Sequence, residues 1–302
     1  MFQGTYTALV TPFTQGVFDA ATYERQIAFQ AEHGVQGIVP VGTTGESPTL
    51  SHEEHHRVVE AAVGAARGTK LKVIAGAGSN STAEALDLTR HAKRAGADAV
   101  LLVNPYYNKP TQEGLYRHFK TIADAVDIPL VPYNIPGRTN ITMTVATMCR
   151  LRKVCPNIVA IKDAAGNLDL TSEAVAAGIP ILSGDDSLTL PMLAVGARGV
   201  ISVASNLVPR PVRDMVNAAL AGDFGAARGV HLRLFALWKT LFIETNPIPI
   251  KTAMAMLGRD TGELRLPLCE PLPANREIIR AALEQAGLTA DSTVPRPAAS
   301  GA

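Results

Sequence analysis

The chain has 302 residues, 47% of them hydrophobic, and 28 Lys and Arg against 27 Asp and Glu leave a net charge of +1. That length buries one large core, or one large and one small, and excludes disorder over most of the chain. The balanced charge, with no Lys/Arg cluster among aromatics, excludes a nucleic-acid or anionic-membrane surface and points to a small-molecule partner.

Gly4 to Val10 reads as a first strand closed by Thr11-Pro12, and Asp19 caps a helical pattern that stops at Gly34. Gly37 to Val41 is a second strand, followed by the loop Gly42-Thr43-Thr44-Gly45-Glu46; Ser51 with Glu54 forms a capping box for a helix running to Gly68. Leu71 to Ala75 is a third strand, and Ser81 with Glu84 caps a helix ending at Gly96. Ala99 to Val103 is the fourth, followed by the loop through Tyr106 and Tyr107 and a helix from Gln112 to Ala125. Pro129 to Tyr133 is the fifth, with Asn134 to Thr139 as its loop and a helix through Cys149. The sixth, Ile158 to Asp163, ends in Lys162 before the turn Ala164-Ala165-Gly166-Asn167. Ile179 to Ser183 is the seventh, then Gly184-Asp185-Asp186 and a helix to Val195; Gly199 to Val203 is the eighth, with a helix through Ala219.

Eight such alternations with short connections predict an α/β fold, a parallel (β/α)8 TIM barrel over residues 1–223, rather than an open doubly wound sheet. No Gly-x-Gly-x-x-Gly follows the first strand, which argues against a dinucleotide fold. Helical patterns at Ala226–Leu241, Pro249–Leu257 and Ala274–Ala286 predict a C-terminal helical appendage over 224–290. The Pro-, Ala- and Ser-rich stretch 291–302 is expected to be a disordered tail. Cys149, Cys155 and Cys269 show no metal-ligand spacing and suit free thiols in a reducing compartment. No apolar run approaches the ~18 residues of a membrane span and no charged leader precedes Thr5, so the expectation is a cytoplasmic protein that binds no metal and contacts no membrane.

Residues that follow barrel strands share one rim, where groups distant in sequence converge. Lys162 at the end of the sixth strand reads by itself as a solvated lysine. With Thr43, Thr44, Tyr106, Tyr107, Tyr133 and Arg138 on the same rim, it reads as an amine that desolvation frees to condense with a carbonyl. Gly42-Thr43-Thr44-Gly45 turns N–H groups outward near a helix start, a place for a carboxylate, although such a sequence is as often only a tight turn. Tyr133 is suited either to core packing or to proton transfer, and Arg138 either to solvent or to a second carboxylate.

Gly42-Thr43-Thr44-Gly45-Glu46-Ser47, Pro105-Tyr106-Tyr107-Asn108, Tyr133 to Thr139, Ile161-Lys162-Asp163, Ser183-Gly184-Asp185-Asp186 and Asn246 to Lys251 stand in one order and spacing. Together they resemble the dihydrodipicolinate synthase family over residues 1–288, within the class I pyruvate-dependent lyases that include N-acetylneuraminate lyase. The resemblance implies that Lys162 forms an imine with pyruvate, that Tyr133 donates and accepts protons, and that Thr43 and Tyr107 complete a relay, Tyr107 reaching a neighbouring subunit of a homotetramer. It implies that Thr44, Gly184 and the backbone of Ile201 bind pyruvate's side of the pocket. Arg138 would hold the carboxylate of aspartate semialdehyde, and no cofactor is required. Ser47, His52, His55, Asn80, Glu84 and Tyr106 match positions of a lysine-feedback site, although His52 and Glu84 also suit the first turns of capped helices. Three positions depart from the family's pattern: Asp163 where glutamate is usual, Pro48 in the inhibitor loop, and Pro132 before Tyr133, which removes a ladder N–H. A related sugar-acid aldolase and a binding-only barrel are the competing readings; Arg138 argues against the first, and the complete relay against the second.

Overall fold

The computed structural model describes residues 2–289; the expected tail, 291–302, lies outside them. Eight parallel strands close into a barrel: β1 Gly4–Ala8, β2 Gly37–Val39, β3 Lys72–Gly76, β4 Ala99–Val103, β5 Leu130–Asn134, β6 Ile161–Asp163, β7 Ile181–Ser183 and β8 Gly199–Ser202, with β8 pairing back onto β1. The helices between and after them are α1 Ala20–Glu32, α2 His52–Ala66, α3 Thr82–Ala95, α4 Gln112–Ala125, α5 Val145–Val154, α6 Leu168–Ala176, α7 Thr189–Ala194 and α8 Pro209–Leu220. Three more follow, α9 Phe224–Thr240, α10 Ile248–Met256 and α11 Pro273–Gln285. No helix among the described residues is long and apolar enough to cross a membrane.

Local chemistry sets these starts and stops. Asp19 accepts from Thr22 N at the head of α1, and Ser51 and Glu54 make the reciprocal capping box of α2. Ser81 caps α3 by accepting from Glu84 N, and α3 ends at Gly96 in the left-handed conformation, φ 94°. Leu168–Ala176, a helix not among the expected elements, follows the expected turn at 164–167 and starts where Asn167 Oδ1 accepts from the amides of Asp169 and Leu170. A small hairpin, Phe13–Thr14 with Val17–Phe18, turns through Gln15 and Gly16, both at positive φ.

The barrel wall separates two apolar layers. Tyr6, Val39, Ile74, Leu101, Val131 and Leu182 belong to a cluster that also takes in Leu234, Trp238, Ile250 and Ile279 from the C-terminal helices. Ile38, Val73, Val100, Leu102, Leu130 and Ile161 pack instead with Val59, Leu115, Phe119 and Leu151 from the surrounding helices.

The sixth strand departs from its expected limits. Leu130 pairs with Ile158, yet Tyr133 pairs with Lys162, so three steps along β5 match four along its neighbour. One extra residue is accommodated at Val159-Ala160, opposite Pro132, which has no N–H to offer the ladder. Arg152 Nη1 takes up the idle carbonyls, donating to Ile158 O at 3.1 Å and Val159 O at 3.4 Å. The ladder N–H missing at Pro132 is thus met by a bulge in the neighbouring strand, and regular pairing resumes from Ile161.

Candidate active site

The β5–β6 register sets Lys162 beside Tyr133, with the ammonium nitrogen 4.0 Å from the ring centroid. Lys162 is 6% exposed. Burial draws its amine down to about 7, Asp186 pulling it back up and Arg138 pressing it further down. A large fraction of the amine is therefore neutral near pH 7, as nucleophilic attack on a carbonyl requires. Burial raises the Tyr133 phenol well above its ordinary value, with Arg138 opposing, so this hydroxyl keeps its proton and is a donor at neutral pH. Asp186, part of the Ser183-Gly184-Asp185-Asp186 motif but given no role by it, is buried at 3% and accepts from Ser202 Oγ at 2.5 Å, Val203 N at 3.0 Å and Ala204 N at 2.9 Å. Burial pushes its carboxyl up to about 6 despite these bonds.

A cavity of about 50 Å³ opens on Lys162, lined by Thr43, Thr44, Tyr133, Arg138, Gly184, Val203 and Asn246 among others. Gly184 has to be a glycine here: a Cβ would stand 2.9 Å from Lys162 Cε and from Ala164 Cβ. Gly184→Ala is expected to displace the amine and slow borohydride trapping of a pyruvate adduct by about 100-fold, the usual cost of an ångström's misplacement; an unchanged trapping rate would contradict this packing.

The loop after β2 is a tight turn in which Gly45 N and Ser47 N donate to Gly42 O and Glu46 N to Thr43 O. Val41 and Glu46 both adopt positive φ, 47° and 54°, a strained arrangement for branched or long side chains. The expected helix start is not what faces the cavity. A single turn, Ser47–Thr49, with Pro48 near its start, intervenes before Ser51 caps α2. Other contacts hold the loop. Thr44 Oγ1 accepts from Asn246 Nδ2 at 3.0 Å, Thr11 Oγ1 donates to Gly45 O at 2.7 Å, and Glu46 pairs at 2.7 Å with Lys251, both side chains fully buried. Lys251 Nζ also donates to Thr11 O, and Arg265 N to the second Glu46 oxygen.

Arg138 sits on a short helix, Pro136–Thr139, and donates from Nη2 to Asn246 O at 2.9 Å. Tyr107 is 90% exposed at φ 68° and lies outside the cavity within this chain. Ile201 is 1% exposed in β8, in the inner apolar cluster; Val203, two residues on, is what lines the cavity. Asp163 points away from Lys162. Its carboxylate accepts from Asn134 Nδ2, Thr171 Oγ1 and Ala165 N, so this departure from glutamate falls in the supporting wall.

Ser47, His52, His55, Glu84 and Tyr106 line a second, larger cavity of about 390 Å³ that shares Thr43, Tyr133 and Arg138 with the first. Glu84 does not complete a capping box with Ser81. Its carboxylate takes His52 Nε2 at 2.6 Å and the Ser79 hydroxyl, and these two bonds hold it below the usual carboxylate range. His55 is buried, and burial takes its imidazole down to about 4. Asn80 does not line the cavity; its carbonyl accepts from Asn108 Nδ2 at 2.9 Å.

The barrel and the buried amine at the carboxyl end of β6 define the class, a (β/α)8 enzyme of lyase type. The model of the dihydrodipicolinate synthetase family matches residues 1–297, and the chain belongs to that family. The 4-hydroxy-tetrahydrodipicolinate synthase of Aquifex aeolicus is 54% identical over 291 residues, covering 95% of this chain and 99% of the relative. That of Methanocaldococcus jannaschii is 52% identical over 289 residues, covering 95% and 100%. Among solved structures, dihydrodipicolinate synthase from Aquifex aeolicus matches with TM-score 0.93 at 53% identity over 95% of this chain and 99% of that one. The Cyanidioschyzon merolae enzyme with lysine bound matches with TM-score 0.92 at 44% identity over 95% and 99%.

Proposed function

We propose that this chain condenses pyruvate with L-aspartate 4-semialdehyde to give 4-hydroxy-tetrahydrodipicolinate, the first committed step of the diaminopimelate route to lysine, in the cytoplasm. The observation that carries the reading is the buried Lys162 amine, drawn down to about 7, under Tyr133 and between Thr44 and Arg138 in one cavity. Neutral Lys162 attacks the keto carbon of pyruvate, and loss of water leaves a protonated imine. That cation is an electron sink, so the methyl group loses a proton and becomes an enamine carbon. The carbon adds to the aldehyde while Tyr133, protonated at neutral pH, supplies a proton to the new alkoxide. The amino group of the second substrate then attacks the imine carbon and expels the lysine, closing the ring. Thr44 binds the pyruvate carboxylate, with Gly184 leaving room for the lysine and the backbone near Ile201 and Val203 closing the floor. Arg138 reads the carboxylate of the second substrate.

Thr43 and Tyr107 extend the proton path. Because Tyr107 is exposed on its own chain, the reading includes a partner subunit that receives it, in a homotetramer assembled as a dimer of dimers. Residues 1–223 carry the chemistry and 224–290 buttress it through Lys251 and Asn246. The larger cavity takes lysine as a feedback effector, its ammonium against Glu84 and its carboxylate near Ser47 and Tyr106; initial rates are expected to fall in millimolar lysine and to recover in Glu84→Ala.

The test is intact-mass spectrometry after borohydride reduction with pyruvate, followed by peptide mapping: one pyruvate on Lys162 is expected, and an adduct on another lysine would overturn the reading. Trapping measured against pH is expected to rise as the amine loses its proton through pH about 7 and to be slow at pH 5, where it is almost wholly ammonium. A rate still climbing steeply at pH 10 would mean an ordinary, solvated lysine.

A further inference from the structure

We propose that Asn246 is a positioning residue of the condensation: its side-chain amide fixes the Thr44 hydroxyl as a donor toward the pyruvate carboxylate, while its backbone carbonyl separately seats Arg138. The inference rests on the reading of Thr44 and Arg138 given above and extends it to a residue of the C-terminal segment.

Asn246 is 6% exposed and lies 202 positions from Thr44, yet both line the cavity that opens on Lys162. A hydroxyl carries one hydrogen and two lone pairs. The Asn246 Nδ2 hydrogen, 3.0 Å away, occupies one lone pair of Thr44 Oγ1, so the threonine cannot spend its own hydrogen on Asn246. That hydrogen is left for an acceptor inside the cavity, which for pyruvate is the carboxylate. The geometry is held from both ends of one short segment. At its start Asn246 grips Thr44; at its end Lys251 grips Glu46, two residues further along the same loop, at 2.7 Å. Arg138 Nη2 meets Asn246 through the main-chain oxygen at 2.9 Å, a bond that a change of side chain leaves in place. The two carboxylate readers therefore depend on different atoms of one residue, and kinetics can separate them.

The experiment is steady-state kinetics on Asn246→Ala, Asn246→Asp, Thr44→Val and the Thr44→Val/Asn246→Ala pair, with thermal melts of each. Asn246→Ala is expected to raise KM for pyruvate about tenfold, the scale of one hydrogen bond to a charged group, with kcat and KM for aspartate semialdehyde little changed. Asn246→Asp, of the same shape, is expected to be worse than alanine, because a carboxylate takes the Thr44 hydrogen and repels the substrate anion. In the Thr44→Val background the alanine change is expected to add nothing. Equal rises in both KM values, full additivity with Thr44→Val, or an aspartate variant as good as wild type would each overturn the proposal. If Thr44→Val alone leaves KM for pyruvate unchanged, it is the assignment of Thr44 that fails.

Discussion

Lys162→Met is expected to abolish borohydride-trappable pyruvate and to lower kcat on the order of 10⁶-fold, as loss of a covalent nucleophile does elsewhere, while making the fold more stable. The second half follows from burial. The amine falls from 10.5 in the unfolded chain to about 7 in the folded one, a gap that corresponds to roughly 5 kcal/mol of penalty for the buried ammonium. Between those two values the unfolded chain binds more protons than the folded chain, so wild-type stability falls as pH is lowered from about 10 to about 7 and then levels off. Methionine has no such slope and fits the same space, although it forfeits the contact with the Tyr133 ring. Urea unfolding at pH 6 and pH 9 checks this: the variant's advantage is expected to be several kcal/mol at pH 6 and smaller at pH 9. An advantage that does not change with pH would mean the lysine is not buried as described.

Lys251→Met acts in the opposite direction. It strands the fully buried Glu46 carboxylate, whose remaining partner in this network is the Arg265 amide. Removing one member of a buried pair costs about 3–5 kcal/mol, and at roughly 2–4 °C per kcal/mol a lowering of Tm by about 10 °C is expected. Adding Glu46→Gln removes the orphaned charge and is expected to restore much of the loss. Since Glu46 anchors the loop that carries Thr43 and Thr44, the single variant is also expected to raise KM for pyruvate. Calorimetry and kinetics on the single and double variants decide it; a double variant as unstable as the sum of its singles would show that the two groups are not coupled.

Much of this architecture is local and therefore legible in sequence. Ser51 with Glu54 and Asp19 are caps whose partners lie three residues away, and the eight apolar runs announce a barrel by their rhythm. The rim could be assembled because a barrel brings strand ends together whatever their separation in the chain, which is how Lys162, Tyr133, Thr44 and Arg138 could be gathered. What sequence hides is pairing across long separations. Glu46 and Lys251 are 205 residues apart, and each reads by itself as a surface charge. Asn246 and Asp186 look like ordinary loop polar residues until the opposite side of the cavity is in place. Pro132 was visible as a defect, but the compensating residue lies on the neighbouring strand, where local pattern says nothing of register. Leu168–Ala176 was missed because its cap, Asn167, was read as part of a turn.

The extra residue opposite Pro132 decides which side of the wall the nucleophile occupies. Ile158 packs with Leu130 in the layer beneath the helices, whereas Ala160 belongs with Tyr133 to the inner cluster and Lys162 opens on the cavity. In an unbroken strand Ile158, Ala160 and Lys162 would all face one way, and with Ile158 packed outward the lysine would be directed among the helices. Straightening the strand at its full length would therefore leave every reactive group in the sequence and hide the essential one, whereas removing one residue at Val159 would abolish the bulge and still pair Lys162 with Tyr133. For recombination between relatives, the segments around 132 and 159 form a single heritable unit: a chimera that takes them from parents of different register would keep every motif and lose its nucleophile.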